Sequence, residues 1–399
     1  MELGQLLEID IQSLVTLQAE VQLWAAQLEE VHTRIAHRFA RAEPRQRVLA
    51  YLKGLLSNCQ RKNGWQLAEL MSEMTPDGMQ RLLSSAKWDA NSVRDDLQSY
   101  IAEHLGGSQA IGVLDETGFL KQGNKSVGVG RQYSGTAGRV ENCQIGVFLG
   151  YATAKGFAFL DREIYLPKEW VNDQQRREAV GVPESVEFAT KPQLARVMLE
   201  RAQAAGVPLA WVTGDTVYGN DRRLRGWLEE KYQAYVLAVA CTERVWIDSS
   251  TGATQVAVEK VIASQPVETW QRLSCGQGSK GSREYDWTKI ELVSEQQALW
   301  SRWLLARRSL TDPTQLAYFM VFAPNGTSIS EAVRVAGARW SIEVGFEITK
   351  DELGLDHYEV RSWRAWYRHI TLVLLAHAVL SVIRTQACAT ASQKGAVTS

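Results

Sequence analysis

Three acidic residues stand where a metal-dependent reaction could be built. Asp115 closes an apolar run, AIGVLD; Asp215 closes another, PLAWVTGD; Glu343 lies in a helical segment, ARWSIEVGFEITKDELGLDH. An acid that ends a strand is ordinarily a turn or cap residue, yet strand ends are also where α/β sheets place ligand groups. Carboxylates about 5 Å apart repel by roughly 3 kcal/mol per pair at an effective dielectric near 20, so a cluster of them calls for a cation. Oxygen-only ligation suits Mg2+, with Mn2+ as a substitute, and five scattered cysteines without a close pair argue against zinc. Two such ions about 4 Å apart can activate a water or a 3′-hydroxyl on one side of a phosphodiester and stabilise the leaving oxygen on the other. The residues alone thus suggest a divalent-cation site built on Asp115 and Asp215, with Glu343 as a candidate ligand.

The segment around Glu343 adds cations to the acids. At about 100° per residue, Arg339, Glu343, Glu347 and Lys350 fall within an arc of about 80°, so a guanidinium and an ammonium share one helix face with two carboxylates. Ile342, Phe346, Thr349 and Leu353 form the adjoining, mostly apolar stripe that buries the helix. The same face also reads as an exposed helix with i,i+4 ion pairs. Glu347, one turn beyond Glu343, is its rival as third ligand.

These side chains need a sheet and helices to hold them. Residues 1–105 read as helical: Leu14, Leu17, Val21, Trp24, Leu28, Val31 and Ile35 line one seam, either a self-associating coil or a face packed on the chain's own body. At Gly106-Gly107 the texture changes to short β-rich runs, then to strands alternating with helices, which implies a mixed α/β sheet covered on both faces. Residues 106–240 read as the first part of a core, 241–316 as a β-rich insertion, and 317–386 as the second part with C-terminal helices. Ser328 with Glu331 is a candidate capping box opening the helical stretch that leads to Glu343. Residues 387–399 have too few apolar side chains to order themselves.

The chain of 399 residues carries a formal net charge of −1, so a nucleic-acid partner cannot be argued from overall basicity. Locally, Arg34, Arg38, Arg41, Arg45, Arg47, Lys53, Arg61 and Lys62 face the single acid Glu43, a run that is either a solvated face or a phosphate contact. No apolar run approaches the roughly 18 residues that span a bilayer, and the start lacks the pattern of a signal peptide. A cytoplasmic protein without membrane contact is expected.

The residues also carry a family likeness. Arg339, Glu343 and Lys350, at their spacing, reproduce the R-E-K part of the YREK signature of insertion-sequence DDE transposases. VLDETGFLKQG, GDTVYG and GLDHYEVRSWRAWYRHITL resemble, more narrowly, the branch typified by insertion sequence 701. The resemblance implies an RNase H-like core interrupted by a β-rich insertion, with metals on Asp115, Asp215 and Glu343 and DNA phosphates on Arg339 and Lys350. It implies a bacterial, nucleoid-associated enzyme that binds terminal inverted repeats, cleaves the element ends and joins them to target DNA, acting as a dimer because two ends are joined together. The tyrosine of the signature falls on Ala336, so that contact is missing. Tyr218, three residues after the second Asp, gains no assigned role.

Further DNA contacts are expected at the flanks. Tyr285 and Trp287 beside Lys280 and Arg283 in the insertion could stack a base and hold its backbone, or pack within a sheet. Arg45 and Arg47 would serve end recognition, and Arg361 opens a stretch, with Trp363, Arg364, Trp366, Tyr367, Arg368 and His369, that is either a DNA-contacting face or packing. Alternatives are a catalytically inactive DNA-binding remnant or regulator, a metal-dependent nuclease without strand transfer, and an interaction scaffold.

Overall fold

The computed structural model describes residues 22–249, 252–278, 281–293 and 299–397. They fall into two units, one of residues up to Leu105 with Thr349–Val360 and Arg364 onward, the other of Gly106–Ile348 with Arg361–Trp363.

The first unit is helical. A helix over residues 22–36 (α1) is followed by α2 (Ala42–Leu55), α3 (Gly64–Leu70), α4 (Asp77–Ser84) and α5 (Ala90–Leu105). Of the expected seam, Leu28, Val31 and Ile35 are buried within the chain's own body and Trp24 is half exposed; Leu14, Leu17 and Val21 lie outside the described residues. Asn63 opens α3 by accepting from the Trp65 and Gln66 amides, which satisfies donors a helix start leaves unpaired. The C-terminal helix, Trp363–Val397, belongs mostly to this unit rather than to the core. It also corrects two expectations. Its Trp363–Ala389 portion is long and apolar enough to cross a membrane, because scattered polar residues hide the apolar total from a count of consecutive ones. Ile370, Leu372–Ala376, Ala378 and Val379 are nevertheless all buried inside the protein, as in a core helix that is apolar all round. The helix also runs on through residues 387–397, where disorder was expected.

The second unit is built on one ten-stranded sheet. Its strands in chain order are β1 (Ile111–Leu120), β2 (Gly130–Ser134), β3 (Arg139–Thr153), β4 (Gly156–Tyr165), β5 (Trp211–Gly214) and β6 (Ala234–Val239). After the small hairpin β7 (Arg244–Ser249) and β8 (Gly252–Ala257) come β9 (Gln271–Gly278), β10 (Gly281–Glu291), β11 (Trp300–Arg308) and β12 (Leu316–Pro324). β1, β5 and β6 are parallel neighbours, β3 runs antiparallel beside β1, and β4 pairs β3. The path β4-β3-β1-β5-β6 is the RNase H-like arrangement.

The insertion is β-rich, as expected, but it is not a body apart. β12 pairs β6, and β11, β10 and β9 follow it outward in the same sheet, leaving only β7-β8 as a separate pair. An edge at β6 or β12 would expose unpaired amides, and continued pairing covers it.

The helices of this unit are α6 (Lys168–Val171), α7 (Gln174–Val180), α8 (Lys191–Ala204), α9 (Thr216–Gly219), α10 (Arg222–Glu230), α11 (Val258–Ala263), α12 (Ile329–Ala338) and α13 (Trp340–Asp351), the last turn of α13 being counted with the first unit. α8 starts on a full capping box, Thr190 with Gln193. In the expected box of α12, Ser328 accepts from the Glu331 amide. α8 and α13 cover opposite faces of the sheet. A Cβ on Gly112 of β1 would meet Leu199 of α8, whereas Phe148, opposite Asp115 in the β1-β3 register, stacks edge-on against Phe346 of α13.

Candidate active site

Strand parity decides where the first acid points. Asp115 does not end its strand: β1 continues to Leu120 against β3, and only the pairing with β5 stops at Leu114 and Gly214. Asp115 therefore stands where two parallel strands part company, directed to the α13 face with Phe148. Asp215 follows the last residue of β5 and caps the single turn of α9, its Oδ1 accepting from the Val217 amide at 2.8 Å. That turn lies hard against β6: a Cβ on Gly219 would come within 1.7 Å of the Ala238 carbonyl oxygen.

Glu343 reaches the same region from α13. Ile342 and Phe346 are buried against the sheet, and Gly345 lets the helix approach so closely that a Cβ there would lie 2.4 Å from the Phe157 ring. Arg339, at the junction of α12 and α13, joins the acids: its guanidinium is 2.5 Å from Glu343 Oε1 and 3.6 Å from Asp115 Oδ2. Gly337 holds that junction against β9, where Arg283 donates to the carbonyls of both Cys275 and Gly337.

The electrostatics are those of crowded acids. Burial, then the charges of Asp215 and Glu116, push the Asp115 carboxyl up to about 7, against the lowering effects of the Glu116 amide and Arg339. Asp215 is raised too, by burial first and Glu116 second. Such groups hold a negative charge reluctantly unless a cation shares it. Oxygen donors on desolvated carboxylates, with a guanidinium already drawn between two of them, fit a hard divalent cation.

Sequence reasoning missed Glu116 and Lys191. Glu116, one residue on from Asp115, points to the α8 face, where its Oε1 lies 2.6 Å from Lys191 Nζ and its Oε2 accepts from the Tyr218 hydroxyl at 2.7 Å. Tyr218 is fully buried, so β1, the start of α8 and the Asp215 turn are tied through one carboxylate. The signal was available: a strand carried past Asp115 puts the next residue on the other face.

The remaining candidates are dispersed. Glu347 is exposed, and Lys350, in the first unit, has its ammonium pKa lowered by burial against the pull of Asp356 and Asp351. Trp287 is wholly buried, donating to the Leu273 carbonyl, so in this structure it packs the sheet and cannot stack on a base; Tyr285 lies under the Arg307 guanidinium. Arg283 is likewise committed to backbone carbonyls, and Lys280 lies outside the described residues. Arg47 is paired with Glu43 and Glu73, whereas Arg45 and Arg361 are exposed, Arg45 donating to the Phe39 carbonyl. Trp366, Arg368 and His369 pack inside the first unit. Arg368 donates to the carbonyls of Leu82, Leu83, Ala86 and Trp88, and His369 lies between the Tyr51 hydroxyl and the Gly354 carbonyl. Among the described residues, the ligand atoms that converge within 4.8 Å of one another are those of Glu30, Glu103 and His104 in the first unit, where Arg34 lies beside both glutamates, whereas Asp115, Asp215 and Glu343 do not all approach that closely.

Comparison with known proteins bears on this site. The family described as DDE superfamily endonuclease matches residues 34–304, a span that takes in Asp115 and Asp215 and ends before Glu343. A protein of Microchaete diplosiphon named as a probable transposase for insertion sequence element IS701 is 26% identical over 317 residues, covering 76% of this chain and 75% of the relative. The family match takes in more than half of the chain, which therefore belongs to the DDE superfamily of endonucleases.

Proposed function

We propose that this chain is a transposase that binds the terminal inverted repeats of an insertion sequence, hydrolyses the phosphodiester at the element's ends and transfers the freed 3′-hydroxyls to target DNA. The observation that carries the reading is Arg339 bridging Asp115 and Glu343 beside a desolvated Asp215. Asp115, Asp215 and Glu343 would hold two Mg2+ ions, with Mn2+ able to replace them, and the bound ions supply an activated oxygen nucleophile and neutralise the leaving oxygen. The chain's own residues do the positioning. The Glu116 amide fixes Asp115 Oδ1 and the Val217 amide fixes Asp215 Oδ1, so neither carboxylate rotates away as DNA arrives.

Arg339 is suited to exchange one of its carboxylates for a phosphate oxygen, since the guanidinium fork fits both anions. Lys350, Arg45 and Arg361 are further phosphate contacts, and Tyr285 is a contact in the insertion. Two ends joined in one reaction call for a homodimer on DNA, and the place of action is the bacterial nucleoid.

The test is excision of a marked element, bounded by the DNA that flanks this gene, in cells expressing wild type, Glu343→Ala or Glu347→Ala. Excision lost only with Glu343→Ala supports the assignment, and loss only with Glu347→Ala moves the third ligand one turn along α13. Cut ends without joined product reduce the reading to a nuclease. Wild type that binds the ends and excises nothing overturns it in favour of an inactive binder.

A further inference from the structure

A second feature of the sheet unit lies in a cleft of about 320 Å³ among α10, β6, the β7-β8 hairpin and the ends of β10 and β11. Four guanidiniums line it, Arg222, Arg225, Arg244 and Arg302, against two carboxylates, Glu229 and Glu243. The pairing is uneven. Arg222 and Arg225 share the same oxygen of Glu243, at 3.2 and 2.7 Å, while Glu229 accepts from both Arg302 and the Tyr235 hydroxyl. Arg244 donates to the Gln255 carbonyl and has no carboxylate partner among the described residues. The lining is left with an excess of two positive charges.

The cations are also graded by depth. Arg225 is buried, while Arg222 keeps 63% of its side chain exposed and Arg244 is exposed, both at the mouth. Beside them Trp246 shows half its ring to solvent, on a strand anchored by the Val293 amide donating to the Trp246 carbonyl. Unbalanced guanidiniums next to an accessible aromatic face suit an anion that carries its own apolar surface. A sugar-phosphate has that composition, and the cleft is too small for a duplex to enter. We propose that this cleft is a DNA-backbone site, in which Arg222 and Arg244 take phosphate oxygens of one strand passing over its mouth and Trp246 packs against the adjoining sugar. The proposal rests on the transposase reading and adds to it a contact surface whose residues are separate from the acid cluster.

Phosphate contacts are sequence-independent and reveal themselves in salt dependence. The experiment measures fluorescence anisotropy of short labelled duplexes, one from the element's end and one unrelated, with the full-length chain over a range of salt. In Arg222→Ser/Arg244→Ser the slope of log affinity against log salt falls by about two, equally on both duplexes. The Arg222→Lys/Arg244→Lys pair keeps the slope, and Trp246→Ala weakens binding without changing it. An unchanged slope in the serine pair, or a loss confined to one sequence, overturns the cleft assignment and leaves the catalytic reading intact. Polyglutamate binding that is lost in the serine pair while DNA binding is kept reassigns the cleft to an acidic protein segment. Wild type that binds neither duplex overturns the transposase reading itself.

Discussion

Asp115→Asn should make the protein more stable, by an amount that depends on pH. The carboxyl sits near 7 in the fold, against about 3.9 in an unfolded chain. Because the folded state holds this proton more tightly, ionisation works against folding. The cost is about 0.5 kcal/mol at pH 4, about 1.5 at pH 5 and about 4 at pH 8, where both states are ionised. Asparagine keeps the shape and an oxygen for the Glu116 amide and carries no charge, so the variant's advantage should grow along the same curve. Urea unfolding in the presence of a chelator, at pH 4 and at pH 8, measures it as the difference between variant and wild type. Magnesium should then stabilise wild type at pH 8 and leave the variant nearly unmoved, because a bound cation relieves the same repulsion the substitution removes. An advantage that stays flat between pH 4 and pH 8, or an asparagine variant less stable than wild type at pH 8, would refute the electrostatic account of the site.

Other substitutions probe its supports. Gly219→Ala forces a methyl into the Ala238 carbonyl, and should cost about 1–3 kcal/mol in thermal unfolding while cutting DNA cleavage at least tenfold through displacement of Asp215. Tyr218→Phe removes the hydroxyl that Glu116 accepts from. A loss of about 1–3 kcal/mol is expected, with a raised magnesium requirement for cleavage, and unchanged values for both would show the tie to be idle. In the first unit Arg368→Met strips the donor from four backbone carbonyls, and unfolding should detect a loss of about 2–5 kcal/mol.

The sequence was informative wherever local chemistry acts alone. Short β-rich runs around Gly112 and Phe148 announce strands, Ser328 announces a helix start, and the Arg339–Glu343 spacing places both on one helix face. Non-local pairing was not legible. Asp115 looked terminal because the hydrophobic run stops there, whereas β3 carries the strand five residues further by hydrogen bonding along its length. The insertion looked separate because nothing in its own residues states that β12 will offer β11 an edge. Trp287 and Arg283 looked like DNA contacts because an aromatic ring and a guanidinium have the same composition in a sheet core as on a binding face; only burial and the Cys275 and Gly337 carbonyls tell them apart.

Glu116 shows why that distinction matters for the chemistry. Asp115, Glu116, Asp215 and Glu343 are the carboxylates grouped near the point where β1 and β5 part, and any of them could compete for a cation. Glu116 has both its oxygens engaged by side chains, Lys191 and Tyr218, so its charge is pinned on the α8 face. Asp115 and Asp215 are instead held through backbone amides, and Glu343 through a guanidinium that also reaches Asp115. An amide orients a carboxylate without neutralising it, whereas an ammonium does both. The fold thus engages one acid with side chains on the α8 face and leaves the other three to backbone amides and Arg339. That division supports the ligand roles proposed for Asp115, Asp215 and Glu343, while Glu116 ties β1 to the start of α8 and to the Asp215 turn.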